Sequence, residues 1–246
     1  MLKPVERKSL ADSVYEQLRD AIVAGDLAAG SRLPSERALR EQLGVNRGAL
    51  REALKRLEEA RLIRIRHGGA TEVLNYREHA GTSLLEDLLM APEGTVRTKV
   101  ARSIIEMRAA LAPDIARLAA LRVTGEAFGR LNEVIEEMRR VDPGDVRELQ
   151  LLALDWWSAL VDTSDNLAYR LAFNSLREGY LRFMHLLAPV LADEVSDIHA
   201  YVAITEAVAD GRAEVAERRA RELLSQGTVA MTSLLEALAR SQESDR

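Results

Sequence analysis

The chain has 246 residues, 47% of them apolar, a formal net charge of −5 and no cysteine. That composition supports hydrophobic cores in two domains or one large one, and it excludes disulfides and thiolate metal sites. The opening MLKPVERKSL lacks the apolar stretch of a secretion signal, and no apolar run approaches the roughly 18 residues of a membrane span, so a cytoplasmic protein without membrane attachment is expected.

Residues 9–25 read as a helix, with Leu10, Val14, Leu18, Ala21 and Ile22 at helical spacing and Gly25 placed to stop it. A loop punctuated by Gly30 and Pro34 follows. Ser35 is a natural N-cap for a second helix through Leu43, which Gly44 ends. Asn46 caps a third helix reaching about Ala60, with Leu50, Leu54 and Leu57 as its apolar stripe and Arg47, Arg51 and Lys55 as a cationic stripe. Two helices joined only by Gly44-Val45-Asn46 have helix-turn-helix spacing. Leu62, Ile63 and Ile65 against Thr71, Val73 and Leu74 then predict two short strands turning at His67-Gly68-Gly69, which makes a wing.

Residues 77–95 read as a connector with one short helix. From Val96 to Leu238 the pattern is helical, with breaks near Thr124-Gly125, Asp142-Pro143-Gly144, 162–166, 192–196 and Asp210-Gly211. Six helices in a compact bundle are expected, with Pro113 and Pro189 kinking or ending theirs and the tail after Ala239 frayed. The expected fold is therefore mainly α: a winged helix-turn-helix over 1–76, a connector over 77–95 and an all-α bundle over 96–240.

Charge divides along the same boundary. Residues 1–76 carry 14 Lys and Arg against 11 Asp and Glu, so the acidic excess lies in the rest of the chain. A mildly basic front and an acidic remainder fit a reader of double-stranded DNA joined to a module that does not touch DNA. Arg47 and Arg51, one turn apart at the start of the third helix, can each bond guanine O6 and N7 with a planar fork. Arg37 and Ser35 stand where the second helix would meet a phosphate, and Gly68 and Gly69 let the wing approach the backbone with His67 as a donor.

The stretch SVYEQLRDAIVAGDLAAGSRLPSERALREQLGVNRGALREALKRLEEARLIRIRHGGATEV resembles the N-terminal domain of GntR-type regulators along its whole length. The resemblance implies DNA contacts at Arg37, Asn46, Arg47, Gly48, Arg51, His67 and Gly68. Gly48 and Ala49 depart from the Ser or Thr usual there, so hydroxyl contacts are expected to be missing.

EMRAALAPDIARLAALR resembles the first helix of the FCD ligand-binding domain of the FadR branch, and LLALDWWSALVDTSDN and AYVAITEAVADGRAEVAERRARELL continue the likeness. Most members of that branch hold a divalent metal with an Asp and three His. The corresponding positions here are Ala153, Trp157, Tyr201 and Leu223, none of them such a ligand, and His67, His79, His185 and His199 are scattered. Asp155 and His199 lie two residues out of register with the expected ligands. The resemblance therefore implies a metal-free effector domain without a cofactor, as in the fatty-acid regulator that gives the branch its name. FNSLREGYLRF is similar to a segment of that regulator through Asn174, Tyr180 and Arg182, and Arg108 matches an arginine facing the effector cavity. The expected effector-binding residues are Arg108, Asn174, Tyr180 and Tyr201, around a fatty acyl-CoA or related carboxylic effector. The alternative is a metal-dependent sensor of a small carboxylate such as a sugar acid or dicarboxylate. The family pattern implies a homodimer on a palindromic operator. An enzyme is not expected: residues 101–246 hold no lysine for a Schiff base, and there is no phosphate loop or nucleophile elbow.

Overall fold

A computed structural model of the chain describes residues 9–66 and 70–244. The chain divides into two compact units, residues 1–95 and 96–246.

In the first unit, α1 (Leu10–Ala24) opens on a capping box: the Ser9 hydroxyl accepts from the Asp12 amide at 3.0 Å and the Asp12 carboxylate accepts from the Ser9 amide at 3.1 Å. Gly25 ends it in the left-handed conformation, φ 91°. Helix α2 (Glu36–Leu43) is capped by Ser35 and closed by Gly44 at φ 64°, and α3 (Arg47–Glu59) is capped by Asn46, whose side-chain oxygen accepts from the Ala49 amide at 2.9 Å. Both α1 and α2 pack on α3, burying Val14, Tyr15, Leu18 and Ile22 with Leu39, Leu50, Ala53, Leu54 and Leu57. The apolar stripes read from the sequence are the faces that meet, except that Leu10, 55% exposed at the start of α1, stands outside the core.

Strands β1 (Ile63–Ile65) and β2 (Thr71–Val73) pair antiparallel, Ile63 opposite Val73 and Ile65 opposite Thr71. The loop before α2 adds to the far edge of β2, with Leu33 N–H donating to Thr71 O and Val73 N–H to Ser31 O, both at 2.9 Å. The expected turn residues His67, Gly68 and Gly69 lie outside the described residues.

The connector departs from the single helix expected. It holds α4 (Tyr76–His79) and α5 (Leu84–Leu89), and α5 is fastened to α1 rather than free. Asp87 accepts from the Tyr15 hydroxyl at 2.5 Å and lies 3.9 Å from Arg19.

The second unit has six helices, α6 (Thr98–Arg122), α7 (Gly125–Met138), α8 (Val146–Thr163), α9 (Leu167–Ser196), α10 (Ile198–Ala209) and α11 (Ala213–Ser244), broken near the turn signals except that α9 runs through 192–196 and breaks only at Asp197. Pro113 and Pro189 sit inside α6 and α9, and neither ends its helix. Helix α11 continues to Ser244, past the point where fraying was expected. It lies along α6, where Ala112, Ala116, Ala119 and Ala120 are small enough to let two backbones approach. Helix α8 is the most enclosed, burying Leu149, Gln150, Trp156, Trp157 and Leu160 among others. Helix α9 is the opposite: its 30 residues bury only Leu191, Glu194 and Val195, and Leu167, Leu171, Leu181 and Leu186 are exposed. No described helix is long and apolar enough to cross a membrane.

Candidate functional site

Two groups of polar residues stand out, one in each unit. On the first, Arg47 and Arg51 are exposed on the opening turns of α3, and neither forms an ion pair among the described residues. The third member of the cationic stripe differs: Lys55 lies 3.6 Å from Glu59. Arg37 is exposed on α2, with its guanidinium 3.0 Å from Glu41, so its charge is shared. Within that stripe the free positive charge thus lies at the N-terminal end of α3. That end also offers backbone donors, because the first-turn amides of Arg47 and Gly48 have no acceptor within the helix. Asn46 spends its oxygen on the cap and keeps its amide nitrogen outside it. At Gly48 an added Cβ would stand 3.3 Å from that capping oxygen, so the missing side chain leaves the turn open.

Behind this face lies a network that sequence reasoning missed. Arg56 pairs with Asp12 at 2.5 Å and its guanidinium lies 4.4 Å from the centre of the Tyr15 ring, so it braces α3 against α1 instead of facing outward. The Ser9 hydroxyl foremost, and then Arg56, hold the Asp12 carboxyl below its ordinary value. Burial, followed by the bond to Asp87, pushes the Tyr15 phenol well up. The i, i+4 spacing of Tyr15 and Arg19 on a helix with an apolar face was the available signal.

In the second unit, three of the four expected effector residues converge on a residue that was not expected. Glu194 on α9 is 2% exposed and is paired with the guanidinium of Arg108 from α6. Tyr201, fully buried on α10, and Tyr180, half-buried on α9, both sense the charges of Arg108 and Glu194. Gln150 of α8 is fully buried and faces the Tyr180 hydroxyl. Helix α11 closes the group with Gly227, where an added Cβ would collide with the Glu194 carboxylate and with Leu191. Burial pushes the Glu194 carboxyl up, while Arg108 works against that. Burial likewise lifts the Tyr180 phenol to about 12 and that of Tyr201 well above its ordinary range.

The cluster is poorly satisfied. Arg108 Nη1, both amide atoms of Gln150, Glu194 Oε2 and the Tyr201 hydroxyl are buried without a hydrogen bond of good geometry among the described residues, although Tyr180 lies near Gln150, the Gly227 backbone near Glu194 and Trp157 near Tyr201. Each such atom carries a desolvation cost of about 1–3 kcal/mol, so five in one place are unusual for a purely structural core.

Asn174 does not join them. It is exposed, where a buried amide was expected. The helical period explains this: six residues from Asn174 to Tyr180 turn the helix about 240°, so when Tyr180 faces inward Asn174 faces out. Asn174 and Arg182 instead share the outer face of α9 with Leu171 and Leu181.

The metal-ligand positions of the FCD pattern do not fit a metal. Ala153, Trp157, Tyr201 and Leu223 are all buried, and only Tyr201 carries an oxygen. Trp156 fills the neighbourhood edge-on to both Trp157 and Tyr201, with ring centres 5.0 and 4.9 Å apart, and donates from Nε1 to Thr205 at 3.0 Å. Asp155 is exposed and 3.7 Å from Arg177, and His199 is exposed too. Among the described residues no group of three His, Asp or Glu stands together.

Comparison with known proteins gives these features a context. Residues 10–73 match the family described as bacterial regulatory proteins, gntR family, and residues 103–226 match the FCD domain. The HTH-type transcriptional regulator Mce2R of Mycobacterium tuberculosis is 35% identical over 241 residues, covering 98% of this chain and 99% of that protein. The fatty acid metabolism regulator protein of Serratia proteamaculans is 31% identical over 179 residues, 72% of each chain. A solved structure described as "Lar controls the expression of the Listeria monocytogenes agr system and mediates virulence" shares the fold at a TM-score of 0.55 and 16% identity, covering 94% of this chain and all of that one.

Proposed function

The chain belongs to the gntR family of bacterial regulatory proteins and carries an FCD domain behind its DNA reader, and on that footing we propose that it is a fatty-acyl-responsive transcription regulator whose operator is read by Arg47 and Arg51. It is a regulator and not an enzyme, as its relatives are. The observation that carries the DNA assignment is the pair of unpaired arginines on the first turns of a capped helix, beside first-turn amides that can hold a phosphate. Arg37, Asn46 and Gly48 border them, and the family resemblance adds His67 and Gly68 to the proposed contacts.

The effector site is the buried cluster of Arg108, Gln150, Tyr180, Glu194 and Tyr201. Its polar atoms that lack a hydrogen bond of good geometry supply the hydrogen bonds for a head group, and its surroundings are apolar. Two observations favour an acyl ligand over a metal-bound small carboxylate: the four metal positions lack ligands, and Arg108 is already paired. Relatives named as fatty acid metabolism regulators support the same reading.

The protein works as a cytoplasmic homodimer on a palindromic operator. The exposed leucines of α9 support this, since Leu167, Leu171, Leu181 and Leu186 lie within an arc of about 140° on the helix, on the side opposite Glu194. Effector binding shifts the balance between dimer geometries that match and do not match the half-site spacing. Fluorescence anisotropy on operator DNA tests the effector class: long-chain acyl-CoAs should release the DNA. Release by a sugar acid or dicarboxylate, with no response to any acyl-CoA, would refute the assignment.

A further inference from the structure

The cluster around Glu194 is electrically neutral before any ligand arrives. Its cation, Arg108, and its anion, Glu194, are already paired, the carboxylate 2% exposed and the arginine side chain 23%. A free carboxylate drawn to Arg108 would leave an uncompensated negative charge in a site walled by Trp156, Tyr201 and Leu191. It would have to displace Glu194, and Glu194 has little room to retreat, because its carboxylate is packed against Gly227 so closely that a methyl group there would not fit. An uncharged carbonyl meets neither obstacle. Its oxygen can accept from Arg108 Nη1, Gln150 Nε2 or the Tyr201 hydroxyl, and a neighbouring N–H can donate to Glu194 Oε2 or Gln150 Oε1, all of them buried and none held by a hydrogen bond of good geometry.

We propose that Glu194 sets the head-group selectivity of this site: it is an internal carboxylate that occupies Arg108, admits an uncharged carbonyl head such as a thioester, ester or amide, and turns away a free carboxylate. The inference rests on the reading of the cluster as the effector site. It makes specificity depend on a built-in repulsion as well as on attraction.

The test is calorimetric titration of the full chain near neutral pH with two probes of one tail length, decanamide and decanoate. The wild type should bind decanamide at least about tenfold more tightly. Glu194→Gln should close or invert that gap. Glu194→Asp, which keeps the charge but withdraws it by one methylene, is milder for folding and should narrow the gap in the same direction. Equal affinity of the wild type for both probes, or a gap that neither substitution changes, would overturn the role of Glu194. Binding of neither probe to the wild type would remove the cluster as the effector site, and with it the reading on which this inference stands.

Discussion

Cations on one stripe of α3 are not equivalent. Lys55 is held by Glu59, whereas Arg47 and Arg51 are exposed without an ion pair among the described residues. Arg51→Ala should therefore weaken operator binding by about 1–3 kcal/mol, and Lys55→Ala by far less, in a titration at fixed salt. Equal losses would show that charge alone is being counted. In the second unit Gly227 is needed for its lack of a side chain. Gly227→Ala pushes a methyl group into Glu194 and Leu191 and should destabilise the protein by about 1–3 kcal/mol in thermal denaturation. The exposure of Arg47 and Arg51 was legible in the sequence because a helical stripe follows from spacing alone. Glu194 was not legible. A lone glutamate on a long helix looks like a solvated charge, and only the packing of α6, α10 and α11 around it makes it a buried one.

Among the elements, α5 is a short helix of the kind expected in the connector, but nothing in its own stretch of sequence says where it docks. Its place is set by Tyr15 and Arg19, two residues about 70 positions earlier, and such long-range pairing leaves no periodic trace. Tyr15→Phe removes the bond to Asp87 and should cost about 1 kcal/mol in denaturant unfolding. The pH dependence has a defined sign. The Tyr15 phenol is raised, so its contribution is complete below the ordinary phenol value of 10 and is lost as pH climbs beyond it. Asp12 is lowered, so the capping box and the Arg56 pair survive through the ordinary carboxylate range and fail only at more acid pH. Asp12→Asn should remove that acid-side transition from the pH–stability profile, and an unchanged profile would contradict the assignment. Caps and stops were the most readable features of all, because Ser9, Ser35, Asn46, Gly25 and Gly44 act locally. Helix α9 was read correctly as a helix, but its facing was not: the likeness that joined Asn174 to Tyr180 overlooked the rotation between them.

For the whole molecule, the two units combine a DNA reader common to its family with a sensor altered at its centre. Where the FCD pattern places four metal ligands, this chain has Ala153, Trp157, Tyr201 and Leu223, and beside them a buried Arg108–Glu194 pair with unsatisfied neighbours. The residue types at those four positions are a matter of sequence; the Arg108–Glu194 pair was not legible there, because it depends on contacts between helices. Regulation by this protein requires first that α3 read DNA through its opening arginines. Selection of binding sites from random duplexes, run with the wild type and with Arg51→Ala, tests it most directly. The account predicts that the wild type enriches a two-fold symmetric sequence and that Arg51→Ala enriches the same sequence with one base position relaxed in each half-site. Identical preferences for the two proteins, or no enrichment by the wild type, would contradict it.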